Sequence, residues 1–213
     1  MSDPRTDGDC LRDFRRGDTS GFELLVVRHQ TALLRHARSL LGDGRAGEDA
    51  VQEAFLRLVQ TPPILPRECL GQPELESAHL SSWLHRVTRN CCLDLLRSES
   101  RRKRREEAVA PQDQADGGIP EVEAGDTREA VERGLARLPR DQREVLALRL
   151  LGERSYKEIS AITGKKVGTV GWLVSTGMKA LAAELAPLLS GSDAHPDELP
   201  RPAGMVYLQG RTT

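Results

Sequence analysis

Apolar residues recur at helical spacing through most of the chain. Phe22, Leu25, Val26, Leu33, Leu34, Ala37, Leu40 and Leu41 form one such stripe. Ser20 can cap that helix, and Gly42 and Gly44 end it. A second helix is predicted over residues 46–60, with Val51, Ala54, Phe55, Leu58 and Val59 as its stripe. Pro62, Pro63, Pro66, Gly71 and Pro73 then mark a long loop over residues 61–78. A third helix starts near Ser81 or Ser82, carries Leu84, Val87, Cys91 and Leu95, and reaches into residues 101–105.

Periodicity resumes near Arg128. Leu135 and Leu138 close one helix before Pro139, which suits a first helical turn. Val145, Leu146, Leu148, Leu150 and Leu151 belong to the next helix, and Gly152 stops it. Ser155 and Glu158 have capping-box spacing. Ile159 and Ile162 follow, Gly164 turns the chain, and a last helix covers residues 167–185. A short helix, a glycine turn and a longer helix make a helix-turn-helix.

The expected fold is therefore all-α, with two small helical domains. Residues 1–17 are read as a loose arm, 18–105 as the first domain and 106–127 as an acidic linker. Residues 128–186 form the helix-turn-helix domain, and 187–213 a disordered Pro-rich tail. Aromatics at 3% of 213 residues favour Leu/Ala/Val-packed helices over a β-sandwich. No apolar run approaches the roughly 18 residues of a membrane span, and the first residues lack a secretory apolar segment. A cytoplasmic protein without membrane insertion is expected.

Net charge is only -1, but its distribution is uneven. Residues 79–105 hold eight Lys/Arg against two Asp/Glu, and residues 106–132 hold nine Asp/Glu against one Arg. Residues 134–185 return to nine basic against five acidic. Two nucleic-acid-facing modules on an anionic tether fit that pattern, as do solvated helical faces. Cys10, Cys69, Cys91 and Cys92 lack CxxC spacing, and the five histidines lack metal-binding spacing, so neither a disulfide framework nor a metal is expected. The GxGxxG string from Gly42 to Gly47 follows a helix, and Glu48 and Asp49 stand where a pyrophosphate would go, so no nucleotide cofactor is expected. No acid/base pair or nucleophile converges, which argues against an enzyme.

Two helices carry candidate chemistry. Asp49, Gln52, Glu53 and Arg57 lie away from Val51, Phe55 and Leu58, as a docking face or a solvated one. The helix from Trp83 carries Arg86, Arg89, Asn90, Asp94 and Arg97, then Arg101 and four further basic residues. Arginines position a protein on phosphates, and Asn can read a base edge. Trp83 suits either that face or the core.

On these motifs the chain resembles a bacterial group 4, extracytoplasmic-function sigma factor of RNA polymerase, in the sigma-70 family. The string Gly47-Glu48-Asp49-Ala50-Val51-Gln52-Glu53-Ala54-Phe55-Leu56-Arg57-Leu58 is similar to the family's polymerase-docking helix. The run from Ser82-Trp83-Leu84 through Asn90, Asp94 and Arg97 is similar to the helix that serves the −10 element. Leu138-Pro139-Arg140-Asp141-Gln142-Arg143-Glu144-Val145, Tyr156-Lys157-Glu158-Ile159-Ser160 and Gly168-Thr169-Val170 resemble the −35-reading domain.

The resemblance implies a transcription initiation factor that binds core polymerase and directs promoter recognition and melting. It implies that Asp49, Gln52, Glu53 and Arg57 dock on the β′ clamp helices and that the second module sits on the β flap. It gives Ser81, Ser82, Trp83, Arg86, Arg89, Asn90, Asp94, Arg97 and Arg101 to the −10 element, where an extruded base must be held. Lys165, Lys166, Thr169, Trp172, Ser175 and Lys179 go to the −35 element. An anti-sigma factor or other protein regulator is a further implied partner. Linker acids Glu121, Glu123 and Asp126 would mimic phosphates in an RNA channel.

Three features depart from the family pattern. Residues 167–178 contain no charged side chain, and Gly171 and Gly177 each cost the last helix about 1 kcal/mol relative to Ala. Trp172 falls on the groove-facing side, which leaves DNA contact, core packing and partner binding all open. The loop over 61–78 is long, and the Pro-rich tail is additional. The reading from another class is a polymerase-independent helix-turn-helix repressor or activator.

Overall fold

A computed structural model describes residues 3–42, 44–107 and 127–189, all of which lie in helices, turns or extended connections, with no strand among them. The acidic linker residues Glu121, Glu123 and Asp126 and most of the Pro-rich tail lie outside the described residues.

The first body contains α1 (Asp7–Arg15), α2 (Thr19–Leu41), α3 (Gly44–Gln60) and α4 (Pro73–Glu107). Helix α2 is capped by Asp18, whose carboxylate accepts from the Ser20 N–H, so the cap falls two residues before the expected one. It ends at Gly42, whose φ of 72° places it in the left-handed region that glycine tolerates. Leu25, Leu33, Ala37 and Leu40 of α2 meet Ala50, Val51, Phe55 and Leu58 of α3 and Leu80 and Leu84 of α4 in one core.

The structure replaces the expected loose arm with α1. Thr6 and Asp9 form a reciprocal capping box, and Cys10 and Leu11 are fully buried in the core. Asp7 is buried too. It accepts from Arg28 at 2.9 Å and Ser77 at 2.7 Å, and faces His29 Nε2 at 2.9 Å. These partners hold its carboxyl well below the ordinary range against the opposing effect of burial. Gly21 permits the close approach of α1, because a Cβ there would lie 2.3 Å from the Cys10 carbonyl oxygen. A count of polar residues missed α1 because its core packing is carried by Cys10 and Leu11, with the Phe14 ring against Phe22 at 5.4 Å between centroids.

The loop after α3 is shorter than expected. A 3-10 turn covers Arg67–Cys69, and α4 begins at Pro73, with proline at the first helical position. Leu65 tucks into the core, and Arg15 donates to the carbonyls of Pro62 and Pro63. Helix α4 leaves the core beyond Cys92, so Leu95 is exposed rather than part of a buried stripe, as are residues 101–105.

The second body contains α5 (Thr127–Ala136), α6 (Arg140–Leu146) with a π turn over Ala147–Leu151, α7 (Tyr156–Thr163) and α8 (Val167–Leu189). Its separate core joins Leu135, Leu138, Val145, Leu146 and Leu148 to Ile159, Ile162, Val170, Leu173 and Leu181. The Ser155–Glu158 capping box forms as expected, and Gly164 turns the chain at φ 72°. The second body rests on the first: α7 packs on α4, and α6 with its π turn packs on α2.

Candidate polymerase and nucleic-acid interfaces

Helix α3 turns Ala50, Val51, Ala54, Phe55 and Leu58 into the core. That phase exposes Asp49, Gln52 and Glu53 along one side. Arg57 is half-buried and donates to Glu53 at 3.0 Å, an i,i+4 pair that raises the guanidinium pKa. Two apolar residues share this surface: Leu56 is 54% exposed and Val59 is 46% exposed. Sequence reading put Val59 in the core stripe and left Leu56 out. Projecting Leu56 at about 100° per residue places it between Gln52 and Glu53 on the outer face. The result is an acidic, hydrogen-bonding strip with an apolar centre.

Helix α4 has three sides. Leu80, Ser81, Leu84, Thr88 and Cys91 face the core. Ser81 is 2% exposed, which contradicts its placement at a DNA surface: it shares the phase of Leu80 and Leu84. A second side, with His85, Arg89 and Cys92, faces the other body. The third side is open and carries Arg86, Asn90, Asp94, Arg97 and Arg101 in one stripe at spacings of three and four. Arg97 donates to Asp94 at 3.0 Å, and Arg101 to the Arg97 carbonyl at 3.2 Å. Ser82 and Trp83 are half-buried, Trp83 packing against the core edge.

Arg89 is not free. Its Nε donates to Glu144 Oε1 of α6 at 2.6 Å, and its side chain is 18% exposed. Helical spacing alone grouped it with Arg86. Two arginines that the sequence reading did not assign, Arg104 and Arg140, join Arg97 and Arg101 around an open groove floored by Leu93 and Leu96.

The second body presents α8. Val170, Leu173, Val174 and Leu181 seat it in the core, and Gly177 lets it approach α6, where a Cβ would lie 2.9 Å from Leu146 Cδ1. Thr169, Trp172, Ser175 and Lys179 are left exposed. At 62% exposure Trp172 fills no core gap, and that alternative is closed. Lys166 is exposed, whereas Lys165 is half-buried and paired with Asp141 at 2.8 Å. Tyr156 lies beneath the Arg149 guanidinium at 5.6 Å.

Burial raises the Cys10 and Cys91 thiols and pushes Cys92 up to about 12. Among the described residues no cluster of three His, Cys, Asp or Glu can hold a metal.

Comparison with known proteins matches both bodies. The family model Sigma-70 region 2 matches residues 25–67, and Sigma-70, region 4 matches residues 128–181. The ECF RNA polymerase sigma-E factor of Escherichia coli K12 is 28% identical over 199 aligned residues, covering 89% of this chain and 99% of the relative. The RNA polymerase sigma-H factor of Pseudomonas aeruginosa is 26% identical, covering 86% and 95%. Two solved structures share the fold. The sigma factor RpoE with the anti-sigma factor NepR from Bartonella quintana has TM-score 0.59 at 24% identity, covering 78% of this chain and 96% of that one. CnrH with the cytosolic domain of CnrY has TM-score 0.56 at 24% identity, covering 84% and 96%. The described residues are predominantly helical and strand-free, both sigma-70 regions stand in the family's order, and the chain aligns with extracytoplasmic-function sigma factors over most of its length, which together support an RNA polymerase-binding promoter-specificity factor of the sigma-70 kind.

Proposed function

We propose that the two bodies divide promoter recognition between two kinds of surface. The α3 strip of Asp49, Gln52 and Glu53, braced by Arg57 and centred on Leu56, docks on the basic β′ clamp helices of core polymerase. The open stripe of α4 serves the −10 element: Arg86, Arg97 and Arg101 hold phosphates, Asn90 and Asp94 line the base side, and Ser82 and Trp83 flank the extruded base. Helix α8 reads the −35 element through Thr169, Trp172 and Ser175, with Lys165, Lys166 and Lys179 near phosphates, and the second body rests on the β flap.

The observation that carries this reading is the unbroken exposed stripe from Arg86 to Arg101 on α4. It follows a helix whose outer face is acidic and apolar, as a protein-docking surface requires. The protein works in the cytoplasm beside polymerase. An anti-sigma factor is a fitting regulator, because both structural neighbours are complexes, one of them with the anti-sigma factor NepR.

Run-off transcription with purified core polymerase and a promoter library tests the reading. Glu53→Lys with Leu56→Asp should reduce core binding at least about tenfold, since both a charge and an apolar anchor are reversed. Asn90→Ala should leave core binding intact and impair melting. Specific, high-affinity promoter binding without polymerase would instead favour the self-sufficient repressor.

A further inference from the structure

The charged side chains of α1 converge on one place. Arg15 donates to the carbonyls of Pro62 and Pro63, at 3.2 and 2.6 Å. Arg12 donates to Glu76 Oε1 at 2.9 Å, and Asp7 accepts from Ser77 at 2.7 Å. Glu76 and Ser77 lie at the start of α4, and Pro62 and Pro63 open the connection that leads to it. These ties all run from α1 to the stretch of chain just ahead of Ser82 and Trp83.

Glu76 is the centre of the arrangement. It is 1% exposed, and its Oε1 also accepts from the Gly71 N–H at 3.1 Å. Gly71, at φ 76°, is where the chain turns from the 3-10 segment into α4. Gly8 of α1 makes room for the carboxylate, because a Cβ there would collide with Glu76 Oε2. One carboxylate thus joins α1, the turn and α4. A buried carboxylate is a weak source of net stability, while removing one of its partners is costly, so its main effect is on geometry. The turn lies close to the α4 surface: the 3-10 segment packs on α4, and Leu65 and Trp83 meet in the same core cluster.

We propose that Glu76, set by Arg12 and by the space at Gly8, is a positioning residue for −10 recognition. It holds the connection over residues 61–72 against the start of α4, so that the surroundings of Ser82 and Trp83 are in place before a base arrives. The inference rests on assigning Ser82 and Trp83 to the extruded base. Glu76 is too deeply buried to touch DNA and acts through the backbone that it fixes. A pocket selects an extruded base with groups already held at the right distance, and a displacement of about 1 Å is enough to lose much of that selectivity.

The test uses holoenzyme assembled from the full chain and core polymerase. Its probes are fluorescent single-stranded −10 oligonucleotides that carry each of the four bases at each position of an element the holoenzyme transcribes. The readout is the ratio of affinities for preferred and disfavoured bases at the most selective position. Gly8→Ala pushes aside the flexible end of Glu76, and Arg12→Ala removes its guanidinium partner. Each should reduce the ratio about tenfold, with core binding and −35 duplex binding unchanged. Arg12→Lys keeps a donor for Glu76 Oε1 and should retain most of the ratio. A merely structural role would lower affinity for all bases alike. That outcome, or a ratio equal to the parent's in both variants, overturns the proposal. Should both variants fail to fold by circular dichroism, Arg15→Ala releases the other anchor of the same connection, and an unchanged ratio there overturns the proposal as well. Ser82→Tyr reports on the underlying assignment. A changed ratio with Ser82→Tyr beside an unchanged Gly8→Ala holoenzyme overturns the positioning role alone. An unchanged ratio in both removes Ser82 from the −10 set and the positioning role with it.

Discussion

The outer faces of α4 and α8 both point away from a core, yet they are made of different chemistry. On α4 the stripe holds Arg86, Arg97 and Arg101 with Asn90 and Asp94. On α8 the corresponding face holds Thr169, Trp172 and Ser175, and residues 167–178 carry no charge at all. An arginine face gains affinity largely by displacing counterions from phosphates, which is salt-dependent and poorly selective. A face of Trp, Thr and Ser offers apolar contact with thymine methyls and short hydrogen bonds, which depend on shape and barely on salt. On the proposed reading, one chain holds its promoter at two points by two kinds of force, one ionic and one steric.

The supports beneath the two faces differ as well. Helix α4 lies on a core shared by four helices, while α8 depends on a close approach at Gly177. The largest expected effect follows from this. Gly177→Val would push against Leu146 and the Gln142 Cβ, 3.3 Å from a Cβ at this position, and cost the second body about 1–3 kcal/mol. Binding to −35 duplex should fall to background while the −10 oligonucleotide is still bound. Equal loss at both elements would mean that the two faces do not act separately.

A smaller effect sharpens the contrast in force. Trp172→Ala should weaken −35 duplex binding by about tenfold and leave the slope of log affinity against log salt unchanged. Arg97→Ala with Arg101→Ala should weaken −10 binding and lower that slope by about 0.7 per lost contact on single strands. Titrations across a range of salt concentrations distinguish the two; a slope change with Trp172→Ala would place that surface among the ionic contacts.

The smallest expected effect concerns acid. Burial and the neighbouring His36 and Arg154 charges hold His85 well below its ordinary value, so the folded chain resists its protonation. Below about pH 6.5 the unfolded chain binds the additional proton, and stability falls as pH drops. Glu144 is lowered despite its burial, by His36 and Arg89, so its contribution is present above the ordinary carboxylate range and is lost as pH falls below it. Both act in one direction. Urea midpoints should decline steadily from pH 7.5 to pH 5; a flat or rising series would contradict this.

Residue spacing made the stripe on α4 and the helix-turn-helix legible, because each rests on strong local signals. Those signals are a run of leucines at helical phase, a capping box at Ser155 and Glu158, and a left-handed glycine at Gly164. Asp49, Gln52 and Glu53 were legible for the same reason. The apolar centre of that face was not, since Val59 looks like core, and Leu56 gains no role, until neighbouring helices fix the phase. Ser81 failed in the opposite sense: the resemblance gave it to the −10 element, and the packing of α4 turns it inward beside Leu80 and Leu84. Helix α1 was hidden because its burial comes from two residues and a carboxylate whose partners lie in other helices.

By itself, the sequence determined the helices after α1, their order, the two bodies and the chemistry on each outer face, because these follow from periodicity and local hydrogen bonding. Only the tertiary structure decided that Trp172 stands open, that α1 joins the core, and that Arg89 meets Glu144. Periodicity gives each helix a buried side, but it carries no information about which polar flank a distant segment will cover. That choice depends on contacts between residues 55 positions apart, and these exist only once the chain has closed on itself.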